Sequence, residues 1–385
     1  MNLKFPLAAV AALLLPSAVQ AQTPPEPDAA GPTASTEVTG VIVTAARSPQ
    51  PSAETAQAVT VLLRPDIEAS QEVAVADLLV RTPGVALSRN GAPGALTYVR
   101  IRGAEAEHTA VVLNGVKVND PSSPGGAFDF ANLLTGDVAR IEVLRGAQST
   151  LWGGQAIGGV VNVVTADPTR PFEARLEAEA GARETAWVRG AVGGAGDRGS
   201  WRLAAGRLET DGVSAYRFGR EPDGYRNTAV SGRARLRLAE GLSADLRAAH
   251  TRSRLEQDGF APPTFSFGDT DEYGESRETT GYLGLNADAF AGRLRSRLAY
   301  VGHRVERTTF DPGGFFPVTF DGVGETRRLE YQGALAVRPG WTAVFGAEAE
   351  GSRFATEGFG SSLSADTGID AAFVQLQAKA APGLS

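Results

Sequence analysis

From about residue 172 onward, apolar and polar positions alternate with period two. Between Ser231 and Leu238, Arg233, Arg235 and Arg237 share one face and Gly232, Ala234, Leu236 and Leu238 the other. Between Arg293 and Tyr300, Arg293, Arg295 and Arg297 oppose Leu294, Leu298 and Tyr300. Between Trp341 and Glu350, Ala343, Phe345, Ala347 and Ala349 oppose Gly346, Glu348 and Glu350. A repeat of two is the repeat of a strand. Charge on one face and apolar residues on the other fit a barrel with a wet lumen and a lipid-facing wall. A soluble sandwich also alternates, but its core face is bulkier than these Ala-rich rows. Gly181 to Thr185 and Ala239 to Leu242 read as tight connections, whereas Glu209 to Asn227 and Leu255 to Arg277 read as long polar loops. Short turns on one rim and long loops on the other are the outer-membrane arrangement.

The stretch before this has a different texture. Ala58 to Leu63 predicts a strand, and Val73 to Arg81 a short helix with Val75, Leu78 and Leu79 inward, stopped at Thr82-Pro83-Gly84. Tyr98 to Ile101, Ala110 to Leu113, Ile141 to Leu144 and Val160 to Val164 predict further strands. Asn114-Gly115 between two apolar runs signals a hairpin, because a type I′ turn needs positive φ at both central residues. This makes a small mixed α/β domain over residues 52–167, followed by the alternating strands of 172–385. Upstream, Thr39 to Arg47 forms a β-prone island in a Pro-rich linker spanning 22–51. Its flanking prolines suggest an exposed segment that adds to a partner's sheet edge, against the plainer reading of a first strand. Residues 1–21 carry Lys4, an apolar run and Val19-Gln20-Ala21, the pattern of a cleaved secretory signal.

Composition narrows the function classes. The 385-residue chain has a net charge of −7 and no basic face, which argues against nucleic acid. It has no Cys, so disulfides, thiol catalysis and Cys-ligated metal are excluded. Past the signal, no run approaches the ~20 apolar residues of a spanning helix, so a membrane role requires a barrel.

Candidate chemistry is sparse. Gly153 to Gly159 spaces glycines like a phosphate loop, but Gly159 stands where Lys is needed. Those glycines serve better as tight turns against a wall. Arg102, Arg140, Glu142 and Arg145 lie at strand ends. Inside a barrel they would dock the first domain on charges of the inner wall; as surface pairs they would contribute under about 1 kcal/mol. Asp211, Glu221, Asp223 and Asp258 sit in the long polar stretches. Oxygen donors there suit Ca²⁺, although their spacing matches no compact calcium motif and solvated loop acids are the plainer reading. His108, His250 and His303 are scattered and read as non-ligands. No residues support an enzyme, and no cofactor beyond this possible Ca²⁺ is expected.

Four stretches together resemble the TonB-dependent outer-membrane transporters, and within them the cobalamin (vitamin B12) transporter group. TGVIVTAAR resembles the TonB box, with Val41, Ile42, Val43, Thr44 and Ala45 at its centre. ADLLVRTPGVALSRNG resembles the first plug helix and the loop after it. YVRIRG with VVLNGVKVND resembles the central plug hairpin, and DVARIEVLRGAQSTLWGGQAIGGVVNVVT the end of the plug. Ala147, Asn114 and Trp152 depart mildly from the pattern. The resemblance implies an α+β plug inside an antiparallel transmembrane barrel of 22 strands. It implies transport of a scarce bulky ligand, most naturally a corrinoid, driven by the TonB energy-transducing protein. Ligand would meet apical loops carrying Arg89, Asn90, Gly91 and Leu96, and Asn119, Asp120, Ser122 and Gly125. It also places calcium-binding acids in early outer loops, where Glu221 and Asp223 fall. A ferric-siderophore receptor of the same fold, or a non-transporting surface protein, are the alternatives. About ten strand candidates follow Pro171 and the sequence ends in a turn-like Pro382-Gly383, so a fragment or truncated product is expected.

Overall fold

The computed structural model describes residues 41–42, 47, 50–51, 57–261 and 263–378. The signal, most of the linker, Val43, Thr44, Ala45 and the final turn lie outside them. β1 (Val41–Ile42) pairs antiparallel with β2 (Gln50–Pro51).

The plug is built on a five-stranded sheet. β3 (Ala58–Leu63), β6 (Thr109–Leu113), β7 (Val116–Lys117), β8 (Val138–Arg145) and β9 (Gly159–Thr165) lie in the order β3-β8-β9-β6-β7, with only β6 and β9 parallel. Alternate residues therefore face opposite sides. Val111, Ile141, Val143, Val161 and Val163 join α2 (Val75–Leu79) in the main core, with Val75, Leu78 and Leu79 inward as the pattern predicts. Ala110, Val112, Leu144 and Val160 form a smaller cluster on the other face. The Asn114-Gly115 turn has φ of 51° and 85°, the paired positive values that a type I′ turn requires. Asn114 Oδ1 also accepts the Thr165 N–H at 2.9 Å, tying the turn to β9.

Two plug elements leave little trace in the sequence. α1 (Arg64–Ser70) buries only Ile67, so no apolar periodicity marks it. Its start is set by Pro65 and by Asp66, whose carboxylate accepts the Leu63 N–H at 2.9 Å. β4 (Val85–Arg89) is half-buried and pairs with β5 (Thr97–Ile101) as a separate two-stranded sheet.

Ten antiparallel strands follow, each paired with its sequence neighbour: β10 (Glu173–Gly181), β11 (Thr185–Gly196), β12 (Gly199–Thr210), β13 (Tyr225–Ala239), β14 (Leu242–Ala261), β15 (Ser266–Ala289), β16 (Leu294–Phe310), β17 (Val318–Arg338), β18 (Trp341–Gly358) and β19 (Ser361–Ala378). Leu203, Val230, Leu236, Leu246, Leu298 and Leu329 face outward and are exposed, whereas Trp187, Arg202, Asp245, Ala299, Val301 and Glu330 face inward and are buried. This is the lipid-out, polar-in alternation of a barrel wall. Among the described residues β10 and β19 are the edges of the sheet.

Two expectations about the rims need correction. Leu255 to Arg277 is not a loop: β14 runs to Ala261, β15 starts at Ser266, and Glu256 pairs with Tyr273. About 9–11 residues cross a bilayer, so these strands of 20 and 24 residues rise beyond it into water, where both faces become polar. The tight turn at Gly181–Thr185 lies on the same rim as the long loop 211–224, because one up-and-down hairpin separates them. The opposite rim carries the short turns at 197–198, 240–241, 290–293 and 339–340.

The plug lies against the inner face of this wall, and the contacts differ from those expected. Glu142 is fully buried in the plug sheet, receiving Arg140 Nε at 2.5 Å and Asn162 Nδ2 at 3.1 Å. Arg145 donates to the Pro83 carbonyl at 2.9 Å, and the Arg102 N–H donates to the Gly84 carbonyl at 2.7 Å. These partners are inside the plug, because β8 is a central strand and not an outer face. Docking cations come chiefly from the wall. Arg202 meets Asp137 at 2.7 Å, Arg233 meets Asp167 at 3.0 Å, and Arg307 meets Asp120 at 2.8 Å. Arg247 donates to the Asn114 carbonyl and lies over Tyr282. In the reverse sense, Lys117 reaches Glu350 at 3.2 Å and Arg47 reaches Glu348 at 2.8 Å.

Removing Arg307 would leave the Asp120 carboxylate, on a residue only 3% exposed, without its counter-ion. Breaking a buried pair from one side costs about 3–5 kcal/mol, and the partial exposure of Arg307 sets the lower end of that range here. Arg307→Ala is expected to loosen the plug from the wall, seen as earlier plug release in urea, while Arg102→Ala leaves that midpoint unchanged.

Candidate functional site

Two plug loops rise towards the rim that carries loop 211–224. The first, 89–96, closes on itself where the Asn90 N–H donates to the Leu96 carbonyl at 3.1 Å. Arg89 anchors its base, meeting Asp77 at 2.9 Å and Thr97 Oγ1 at 3.2 Å. Gly94, at φ 92°, lies so close to the Tyr225 ring that a Cβ there would come within 2.1 Å of it. Tyr225 is the first residue of β13, so this contact sets the loop against the outer end of the wall.

The second loop, 119–126, is held from within. Asn119 is buried; its Oδ1 accepts the Val111 N–H at 2.9 Å, and its Nδ2 donates to the carbonyls of Thr109 and Gly126 at 3.1 and 3.0 Å. Both ends of this amide are committed to shaping the loop, so Asn119 is corrected from a ligand contact to a structural one. Asp120 accepts the Ser122 N–H and hydroxyl, each at 2.7 Å, besides its pair with Arg307. Arg307 also donates to Ser122 Oγ at 3.0 Å. Asp120 and Ser122 thus fasten the loop to β16. Asn90, Gly91, Pro93, Pro124 and Gly125 remain exposed. The structure therefore brings the two predicted loops together but leaves mainly backbone and small groups on their open side.

Sequence reasoning missed the residues that join these loops. Tyr98 Oη and Ser123 Oγ lie 3.3 Å apart between them. Asp129 accepts the N–H groups of Thr97 and Ala131 at 2.9 and 3.0 Å, and burial pushes its carboxyl above the ordinary range despite those bonds. An Asp one residue before Phe130-Ala131-Asn132 is a recognisable N-cap, the one signal that could have found it.

The four proposed metal ligands do not converge. Among the described residues no three His, Asp or Glu side chains are grouped closely enough to hold a metal ion. Asp223 accepts the Ala215 N–H at 2.6 Å, and Asp258 accepts the Tyr216 N–H at 2.6 Å and Ser214 Oγ at 2.9 Å. Asp258 lies in β14, not in a loop, and with Asp223 it folds loop 211–224. The Asp211 N–H donates to the Arg183 carbonyl. Aromatic rings crown the same rim: Tyr216 packs edge-on to Phe218 and Phe267, and Phe260, Phe315 and Phe359 are exposed near the tips of other hairpins.

This arrangement of a plug, a polar inner wall and apical loops under an outer rim is found in known proteins. The TonB-dependent receptor plug domain family matches residues 51–160. A vitamin B12 transporter of Photobacterium profundum is 34% identical over 193 residues, covering 49% of this chain and 31% of that protein. Among solved structures, the siderophore receptor PirA of Acinetobacter baumannii superposes with a TM-score of 0.68 at 19% identity, over 84% of this chain and 55% of that one. The ferripyoverdine receptor of Pseudomonas aeruginosa gives a TM-score of 0.67 at 15% identity, over 84% of this chain and 46% of that one. The chain spans about half the length of these solved receptors and matches less than a third of the curated transporter. Residues 51–160 thus match the plug domain of the TonB-dependent receptors, and the plug with its ten-stranded wall shares the fold of the solved receptors.

Proposed function

We propose that the receptor containing this chain takes up a scarce bulky ligand, a corrinoid, across the outer membrane by energy-coupled transport. The observation that carries this reading is the placement of plug loops 89–96 and 119–126 under the outer rim, in a chain 34% identical to a vitamin B12 transporter over the matched part. Ligand recognition rests on the open backbone and small polar groups at Asn90, Gly91 and Gly125. Such groups suit a large ligand rich in amides better than a single strong charge. The siderophore receptors among the structural neighbours support a ferric chelate as the second reading. Coupling to TonB runs through the segment that starts at Val41. Among the described residues, Val41–Ile42 pairs antiparallel with Gln50–Pro51 over two positions. So short a ladder is marginal in water, and a partner strand can replace it.

Loop 211–224 forms the roof of the proposed site, and its acids make it pH-sensitive. Partial burial, reinforced by Asp258, Glu221 and Asp269, raises the Asp223 carboxyl to about 6, against the Ala215 N–H that lowers it. A raised carboxyl pKa means that the folded loop holds its proton more tightly than the unfolded one. Its stabilising contribution is complete below about pH 4 and is lost as pH rises through about 6.

Three outcomes test the reading. Cyanocobalamin is expected to bind the purified receptor and to displace no bound ferric enterobactin; tight ferric-chelate binding with no cobalamin binding favours the second reading instead. Ile42→Pro removes a backbone donor from the coupling strand and should abolish uptake with ligand affinity unchanged; persistent uptake would sink the pairing idea. Limited proteolysis within 211–224, corrected for the protease's own pH profile, should be faster at pH 7.5 than at pH 5 in the wild type. Asp223→Asn should flatten that difference.

A further inference from the structure

The outward face of the wall changes character along β14 to β18, strands that lie inside the described sheet and not at its edges. Leu246, Leu283, Tyr300 and Leu329 are successive cross-strand partners, all exposed, and form one row of the lipid-facing band. Leu285, Leu298 and Tyr331 extend this apolar surface by a row towards the inner rim. Steps of two along a strand keep a side chain on the same face. Two residues nearer the outer rim the row reads Ala248, Gly281, Gly302, Arg327 and Gly351. The next is His250, Thr279, Arg304, Glu325 and Arg353, and the one beyond it is Arg252, Arg277, Glu306, Val323 and Ala355. Three rows on the outside of the wall thus carry five arginines and two carboxylates. The arginine side chains are exposed, from 46% at Arg304 to 68% at Arg327.

Their neighbours do not neutralise these cations. Arg304, Arg327 and Arg353 converge on the single carboxylate of Glu325, Arg353 at 2.8 Å and Arg327 at 3.6 Å, and leave it 11% exposed. Arg304 and Arg277 reach Glu306 at 2.7 and 3.8 Å. Glu275, one row further out, meets Arg252 at 3.3 Å and Arg277 at 3.6 Å. Five positive charges therefore face three negative ones. Exposed pairs of this kind are weakly held, because water screens them and competes for their hydrogen bonds. Arg327 has glycine as its cross-strand partner on both sides, and a Cβ at Gly302 or Gly351 would meet nothing within 4 Å. Its guanidinium is open to approach along the wall.

We propose that this patch binds a phosphorylated lipid of the outer leaflet, with phosphates on Arg304, Arg327 and Arg353 and acyl chains along Leu283, Tyr300 and Leu329. The proposal rests on reading the wall as membrane-embedded. Arginine suits this partner because its planar fork meets phosphate oxygens two at a time. A soluble anion would find the same charges, but their position favours an amphiphile. Arg327 stands two residues from Leu329, about 7 Å along the strand, so a phosphate held there has hydrocarbon surface beside it. The surplus cations also lie only on the outer-rim side of the apolar rows, which matches a lipid whose charge is confined to its headgroup.

The experiment uses the full-length receptor, stripped of its own lipid by detergent exchange and titrated with bisphosphoryl lipid A. Bound lipid is counted by native mass spectrometry. Arg304→Gln with Arg327→Gln and Arg353→Gln is expected to weaken lipid A binding at least about tenfold. The charge-matched change at the opposite rim, Arg198→Gln with Arg237→Gln and Arg295→Gln, should leave it unchanged. Full binding by the first variant, or equal loss in both, overturns the proposal. Inorganic phosphate that displaces lipid A at equal concentration would make this a soluble-anion site, and phosphatidylcholine that binds as tightly would make it a general lipid surface; either result also overturns it. If the triple variant does not fold, judged by heat-modifiable migration, Arg327→Gln alone carries the comparison, with an expected loss of about threefold. Cyanocobalamin binding is measured on the same samples. A receptor that holds lipid A through these arginines but binds no corrinoid keeps this site and loses only the assigned ligand.

Discussion

The fold depends on one constraint: a folded domain lying against the polar inside of a lipid-embedded wall must have its facing charges met. Carboxylates on the plug, the buried Asp120 and the half-buried Asp137, each lie against a wall guanidinium. A plug carbonyl at Asn114 receives Arg247. Arginine suits this role because its planar fork of donors satisfies carboxylates and carbonyls at once and stays charged at any working pH. Such polar docking also separates the strength of the plug from the strength of its seat. The plug has a valine-rich core and a Glu142–Arg140–Asn162 cluster of its own beneath these contacts.

The apical surface follows from this arrangement. Loop 119–126 is positioned twice, from below by Asn119 and from the side by Asp120 against Arg307. Loop 89–96 is positioned by Gly94 against Tyr225. A surface fixed at both ends and presenting backbone and small side chains recognises shape and hydrogen-bonding pattern more than charge. Around it the rim supplies aromatic rings and carboxylates on strands that rise beyond the bilayer.

Much of the architecture was legible because burial imposes a period. α2 announced itself through Val75, Leu78 and Leu79, and β9 through two valine pairs, Val160-Val161 and Val163-Val164. The wall strands were legible because lipid and lumen demand opposite residues at alternate positions. α1 was not, since a helix with Ile67 as its one buried residue has no periodic signal to read. The outer halves of β14 and β15 looked like loop, because above the hydrocarbon nothing selects apolar residues. The docking residues were misassigned for a different reason. Arg140, Glu142 and Arg145 look unpaired in a linear reading, yet strand order turns them inward upon β9 and the loop at Pro83.

The sequence by itself determined the two-part organisation, the inward and outward faces of the wall and the Asn114-Gly115 turn. These are local properties, set by side-chain type, backbone conformation and the period of burial. Only the tertiary structure decided which charges meet, that Asn119 shapes its loop, and that Asp223 and Asp258 fold loop 211–224. Those outcomes depend on pairs far apart in sequence, such as Asp120 with Arg307. Such contacts are fixed by sheet order and register, which no single segment encodes.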